Sequence, residues 1–404
     1  MNIRTTTVRM ALGVALAMAA LIAPVSSSAQ WVLLEKDADA TVRGGFDALY
    51  NLRYDEADTL FTDLTRAQPD HPAGYFLLAL VDWWRIVPNL DDNVRLERYS
   101  ESFHTRLDKV IEISDARLEN NPKDIVGLFF KGAALGYQAR LKILNATGTA
   151  ALVQWPSAAL DGEEALGILR EAQALAPSNS DILLGSGLFM YMSAALPEQY
   201  PAARPVLGFL PPGDRQIGLN MLRISAKKAA YANVEAKYAL LEVLHGFEKS
   251  YGEALLIAQE LNAKYPGNPV FYRYLAKSYY MTSDFVNADT AYATIIRRVL
   301  AREKGYEMTM ARQALYYLGD IRMRTGNLES AAKHFQQAIE QSKRLDGSEE
   351  TSWRVLSVLK LGQVYDLMGR RNDALRQYRA VLDLDDNSNA HQKARDFLQK
   401  PYVR

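Results

Sequence analysis

The sequence predicts an all-α chain, a stack of antiparallel helical hairpins forming a solenoid with a proline-rich interruption in its middle. Three observations lead there. One residue pattern recurs: Leu275-Ala276 is followed by Tyr279, Ala288 and Tyr292; Leu318-Gly319 by Gly326, Ala331, Phe335 and Ala338; Leu361-Gly362 by Tyr365, Gly369, Ala374 and Tyr378. From Leu275 to Leu318 and from Leu318 to Leu361 is 43 residues, a period in the range of helical-hairpin arrays. Apolar residues elsewhere recur at helical spacing, and Pro69, Pro177 and Pro266 close successive segments, as a residue that cannot continue a helix should.

Each part of the pattern has a physical reading. A small residue at Ala276, Gly319 or Gly362, and another at Ala288, Ala331 or Ala374, lets two antiparallel helices approach closely. The aromatic four residues later, Tyr292, Phe335 or Tyr378, is expected to fill the wedge toward the next hairpin. A lone hairpin leaves an apolar face in water, so stability must come from stacking. This small-small-aromatic order resembles the tetratricopeptide repeat, whose usual unit is about 34 residues. The extra length falls at Ala291 to Lys304 and Ala331 to Leu345, which run without Pro beyond the usual end of a second helix and are expected to project past the stack. A 34-residue step upstream fits Leu241, Ala254, Leu261 and Pro266, and looser fits occur at Ala57, Phe61, Leu64 and Pro69 and at Ala165, Leu169, Ala172 and Pro177.

In chain order, residues 1–29 read as a secretory signal. Arg4 and Arg9 precede an apolar run from Met10 to Ala23, and Ser27-Ser28-Ala29 suits cleavage before Gln30. The expected location is the periplasm or the exterior. Residues 30–196 read as N-terminal helical repeats: a lead-in from Trp31 to Thr41, a hairpin from Phe46 to Ala67, an apolar helix from Ala73 to Trp84, a charged helix from Asp91 to Glu119, and a Gly-bearing helix from Ile125 to Ile143 before a loop from Asn145 to Pro156. Ile182 to Leu196 is almost wholly apolar yet too short to span a bilayer, so a buried central helix is expected. Residues 197–225 hold Pro197, Pro201, Pro205, Pro211 and Pro212, then a helix; residues 226–404 hold the C-terminal repeats.

Composition narrows the function. Lys and Arg total 47, as do Asp and Glu, and removal of residues 1–29 takes away two Arg and no acid, leaving 45 against 47. That balance gives no basic stripe for nucleic acid and no general attraction to anionic lipid, so membrane contact is peripheral at most. The chain has no Cys, which excludes disulfides and an N-terminal lipid-modified Cys.

The middle carries a second resemblance. Gly187-Leu188-Phe189, Ser193, Leu196-Pro197, Leu207-Gly208-Phe209, Gly213-Asp214-Arg215 and Gly218-Leu219 are similar to the signature of the tetratricopeptide repeat protein 39 and inclusion-body-clearance family, with two added residues between Phe209 and Gly213. The resemblance implies an all-helical, non-enzymatic interaction scaffold; members associate with organelle membranes and lipid droplets. Read from the residues, Gly213 permits a bend, Asp214 can cap the following helix, and Arg215 can pair locally or contact a preceding carbonyl.

Chemistry leaves little trace. His71, His104, His245, His334 and His391 make no metal-ligand spacing, and neither a hydrolase Gly-x-Ser-x-Gly nor a phosphate-cradling Gly-rich loop with Lys occurs. The reading is therefore no enzyme, no cofactor and no metal, with His71 in a solvated turn and His334 on the surface. Binding is placed by the repeat frame instead. Residues of the first helices not used for packing should line an inner wall: Arg273, Lys277 and Tyr280, then Tyr316, Asp320, Met323 and Arg324, then Gln363 and Asp366. Their mix of charge and aromatic area suits a protein or peptide partner, possible among envelope components. The Lys and Asn pairs with which some tetratricopeptide proteins clamp a C-terminal carboxylate are absent there, which favours an internal peptide or a folded partner. An alternative expectation is a lipid or small apolar ligand in a cavity between the two halves, lined by Leu188, Phe189, Met190, Tyr191 and Phe209.

Overall fold

The computed structural model describes residues 36–89, 93–145, 151–199, 212–346 and 351–404. The expected signal and Phe209 lie outside the described residues. Those residues form seventeen α-helices and no strand. The N-terminal series is α1 (Lys36–Tyr50), α2 (Tyr54–Ala67), α3 (Ala73–Ile86), α4 (Asn93–Asn120), α5 (Ile125–Asn145) and α6 (Ala151–Leu175). The middle holds α7 (Leu183–Gln199), α8 (Arg215–Lys228), α9 (Asn233–Val243) and α10 (Tyr251–Lys264). The last series is α11 (Pro269–Met281), α12 (Phe285–Leu300), α13 (Met308–Thr325), α14 (Leu328–Leu345), α15 (Ser352–Leu367), α16 (Arg371–Leu382) and α17 (Ala390–Gln399). Every helix packs on its sequence neighbours, the signature of stacked hairpins.

Local chemistry sets the ends. The Asn268 side chain accepts from Val270 N at 3.0 Å with Pro269 following it, and Asn327 caps α14 through Ser330 N at 3.2 Å. Asp214 caps α8 as expected, its carboxylate accepting from Ile217 N at 2.9 Å, whereas Arg215 reaches beyond its own turn to Glu198 at 2.6 Å and Glu248 at 2.7 Å. Gly218 and Gly187 make the α7–α8 crossing: a Cβ on Gly218 would lie 2.5 Å from Tyr191 N and 2.7 Å from Gly187 O. The lead-in is helical from Lys36, burying Ala38 and Val42, and α6 begins at Ala151, so of the stretch expected as a loop from Asn145 to Pro156 the part from Ala151 onward is helix, with Pro156 inside it, and residues 146–150 lie outside the described residues. Proline's fixed φ suits a helix, and near a helix start it removes only an early hydrogen bond.

The repeat glycines act differently from the expected backbone contact. A Cβ on Gly319 would meet the Phe335 ring at 2.8 Å, and one on Gly362 the Tyr378 ring at 2.5 Å. Phe335 and Tyr378 therefore lie over the glycine of their own hairpin, while Tyr292 stacks on Tyr317 of the next hairpin and Tyr378 also meets Phe397 of the following helix, as expected. The added length does not project either. Ile295, Val299 and Ser342 are buried, and the ends of α12 and α14 pack with Tyr306, Met310 and Arg312 around the start of α13. Arg312 and Asp346 form an ion pair at 2.7 Å there, each side chain 2% exposed.

The halves stack on one another. One apolar cluster runs from Ala38 in α1 to Leu275 in α11. Tyr50 meets Trp84 edge-on at 5.3 Å, and Trp84 packs on Phe271 at 5.5 Å and Tyr238 at 5.4 Å. At its centre Glu235 is buried. Trp84 Nε1 and Tyr50 OH donate to its Oε1 at 2.6 and 3.0 Å, and Tyr137 OH donates to Oε2 at 3.0 Å. Burial pushes the Glu235 carboxyl above its ordinary range, against the pull of the Trp84 hydrogen bond and the Arg140 charge. Asn268 Nδ2 donates to Tyr50 O at 2.9 Å, Asn89 Nδ2 donates to Glu307 at 2.7 Å, and Arg95 pairs with the same Glu307.

Candidate partner-binding site on the inner helices

The first helices of the last hairpins, α11, α13 and α15, share one wall. They enclose a cavity of about 210 Å³ whose lining includes Arg273, Tyr274 and Lys277 from α11, Gln313 and Tyr317 from α13, and Trp353 from α15. Tyr292 from α12 supports it from behind, stacked on Tyr317 at 4.7 Å, while Trp353 stands edge-on to Tyr317 at 5.8 Å and to Tyr316 at 5.5 Å. The aromatic rings fix each other by packing, so the wall is rigid.

Arg273 and Lys277 are four apart on α11, so two like charges face the same space, an arrangement that destabilises a helix. Among the described residues neither has a carboxylate within ion-pair distance; Arg273 Nη1 donates to Pro88 O at 3.5 Å. Glu242, whose charge is felt at Tyr274, is bound to Arg140. Burial, then the Arg273 charge, push the Lys277 ammonium below its ordinary range.

One frame step along the array the cations do hold a carboxylate. Asp320, 1% exposed, accepts from Tyr280 OH at 2.6 Å, pairs with Lys360 at 2.8 Å and is bonded by Arg324. Burial raises its carboxyl, but Lys360 and these hydrogen bonds outweigh it and hold the group below the ordinary range. Tyr280, Asp320 and Arg324 are thus joined to one another. Gln363 is 7% exposed, and Tyr316 packs among Tyr317, Phe335 and Trp353, so Asp320 and Gln363 offer a partner little surface.

Of the inner-wall residues predicted from sequence, Arg273 and Lys277 line the cavity; the others do not, Met323 being buried in the C-terminal core and Asp366 held by Arg371, Tyr378 and the Tyr402 backbone. Tyr274, Gln313, Tyr317 and Trp353 were missed. Tyr317 lies 43 residues after Tyr274, so the frame held a signal for both. The residues of the alternative cavity are placed in packing: Tyr191 is buried with its hydroxyl donating to Glu248 at 2.5 Å, Phe189 lies against Gly162, Met190 Sδ accepts from Arg170 at 3.4 Å, and Leu188 packs on the core.

The histidines depart from expectation. His71 is buried rather than solvated: its Nδ1 accepts from Ala73 N at 3.2 Å, Phe130 stands edge-on to it, and burial pushes its pKa down to about 4. His334 is half-buried against Ser330 O. His245, in a π-helical turn (Leu244–Glu248), contacts Ser278 Oγ at 2.9 Å and is held down at about 4 by burial. Among the described residues no group of three or more His, Asp or Glu is placed to hold a metal ion, and no helix is long and apolar enough to cross a membrane.

Residues 272–345 match one family model described as tetratricopeptide repeat, and residues 310–387 match another. The hairpins within residues 272–387 thus match tetratricopeptide repeats. No curated protein matches the chain. Solved structures similar to it include a human IFIT1 dimer with m7Gppp-AAAA, at 11% identity over 92% of this chain and 89% of that one, TM-score 0.43. The TPR domain of P58(IPK) aligns at 13% identity over 90% of this chain and 97% of that one, TM-score 0.24. Yeast Tom70 aligns at 13% identity over 90% and 96%, TM-score 0.25. The tetratricopeptide matches do not reach the central segment from Gly187 to Leu219.

Proposed function

We propose that the chain is exported, loses residues 1–29, and works in the periplasm or outside the cell as a non-catalytic scaffold that holds a protein or peptide on the inner helices of its tetratricopeptide repeats. The observation that carries this reading is the cavity shared by α11, α13 and α15, where fixed aromatic rings stand beside two cations without carboxylate partners. Tetratricopeptide repeats generally serve protein interaction, and interfaces favour aromatic and Arg side chains. Export rests on the charge, apolar run and cleavage pattern of the first 29 residues. The carrier alternative gains no support from Leu188, Phe189, Met190 and Tyr191, whose contacts are with the protein itself. The central resemblance to the tetratricopeptide repeat protein 39 family contributes an architecture to this reading and no cellular role.

A photo-crosslinking residue at Gln313, tested in the native cell, should capture one defined protein, and the same residue at exposed Leu300 should not. Equal capture from both sites removes the inner-wall reading. Mature protein beginning at Gln30 in the periplasmic or extracellular fraction supports export; an intact N-terminus in the cytoplasm refutes it.

A further inference from the structure

We infer that the cavity between Arg273, Lys277 and Trp353 is a subsite for an acidic side chain, Asp or Glu, within an extended peptide whose neighbouring apolar residue lies on the Tyr317 and Trp353 rings. This deepens the scaffold reading and rests on it.

Four observations converge. First, the charge is uncompensated. Elsewhere in these hairpins the cations hold a carboxylate: Arg324 and Lys360 share Asp320, Arg371 of α16 pairs with Asp366 at 3.0 Å, and Arg322 pairs with Asp289 at 2.8 Å. Arg273 and Lys277 alone of this group have no carboxylate, and they sit four apart on one helix face. Half-burying such a pair is unfavourable unless an anion completes it. Second, the size is limiting. About 210 Å³ is below the roughly 300–1,000 Å³ of a pocket for a free small molecule. It suits one side chain of a larger ligand. Third, the walls are mixed. Gln313 can donate and accept beside the cations, while Tyr274, Tyr317 and Trp353 supply flat apolar area. An anion flanked by a hydrophobic residue uses both, which a bare phosphate would not. Fourth, at the next frame position Lys360 and Arg324 already hold the buried carboxylate of Asp320, whereas Arg273 and Lys277 hold none, so α11 is where an added acid meets unsatisfied cations.

The test uses short peptides acetylated and amidated at their ends, which removes terminal charge. One set carries a central Asp or Glu beside Leu, Phe or Tyr; a matched set carries Asn or Gln. Binding to the full mature chain is followed by Trp fluorescence and calorimetry. The acidic set should bind at least tenfold tighter than the amide set. That preference should weaken with added salt and vanish in Lys277→Met and Arg273→Met, while Lys277→Arg retains it. Lys277→Glu should accept peptides with Lys in place of the acid. Unchanged helical circular dichroism verifies folding of each variant.

Equal binding of the two sets overturns the acid subsite and leaves the scaffold standing. Displacement of acidic peptides by inorganic phosphate at equal concentration also overturns it, because the site is then a phosphate site. If no peptide of either set binds and Gln313 crosslinks no partner, the scaffold reading falls as well.

Discussion

Replacing Glu235 by Ala tests how the two halves are held together. The carboxylate accepts from Trp84, Tyr50 and Tyr137, which come from three helices of the N-terminal half. A buried donor left without a partner costs roughly 1–3 kcal/mol, and three such donors total roughly 3–9 kcal/mol. Removing the carboxylate also relieves its own desolvation, and water entering the vacated space satisfies part of the loss. The expected net loss is about 3–5 kcal/mol, the range for breaking a buried charged cluster. Glu235→Gln keeps an acceptor for Trp84 and Tyr50 and turns an amide toward the Tyr137 hydroxyl, which can accept, so it should cost no more than about 1 kcal/mol at neutral pH. Urea unfolding followed by Trp emission is the assay, since Trp83 and Trp84 are buried in this region. The pH dependence has a definite sign. The folded pKa of Glu235 is raised, so its contribution is full below the ordinary carboxylate pKa and is lost as pH rises through the folded value. The Gln variant should therefore gain on wild type as pH increases. An Ala loss under about 1 kcal/mol, or Gln as damaging as Ala, would refute the central role of this group.

Other outcomes follow from the packing. Gly362→Ala should cost about 1–3 kcal/mol in urea unfolding because its Cβ would meet the Tyr378 ring at 2.5 Å, while Gly136→Ala, with nothing within 4 Å, should gain up to about 1 kcal/mol. Asp346→Ala removes a buried carboxylate that Arg312 donates to and should lower stability by about 1–3 kcal/mol, measured the same way. Lys277→Met removes a partly buried like charge beside Arg273, so the free protein should melt at a higher temperature even as acidic peptides are lost. The folded pKa of His71 is lowered to about 4, so its stabilising contribution is full above the unfolded value near 6.5 and falls away as pH drops toward 4. The stability difference between wild type and His71→Asn should shrink across that window.

The C-terminal hairpins were legible because each repeats a small residue, a second small residue twelve on and an aromatic four further. The same offsets join Gly45, Ala57 and Phe61, and a Cβ on Gly45 would lie 2.2 Å from the Phe61 ring, so the rule reaches the first hairpin too. The direction of the aromatic was not legible, since a ring at one register can lie over its own glycine or the next hairpin. Nor was the stacking of the halves. Tyr50 and Glu235 are 185 residues apart, and a Glu between Val234 and Ala236 reads as a surface residue until Trp84 and Tyr137 enclose it. His71 in Asp-His-Pro looks like an exposed turn, and only Phe130 from α5 covers it. In the candidate site, Arg273 and Lys277 followed from the frame, whereas Trp353 reaches the cavity from the start of α15, ahead of the residues on which the frame was built.

The contact of α1 and α3 with α9 and α11 also limits how this array can grow. Tyr50 meets Glu235 only if a fixed number of hairpins separates them. A duplicated unit inserted between Ala67 and Asn233 would carry the two partners out of reach, whereas one inserted after Leu384 would leave that contact in place and require only that α17 find the same seat on the new last hairpin. Lineages of this chain should therefore vary in repeat number at the carboxyl end and keep a constant count upstream.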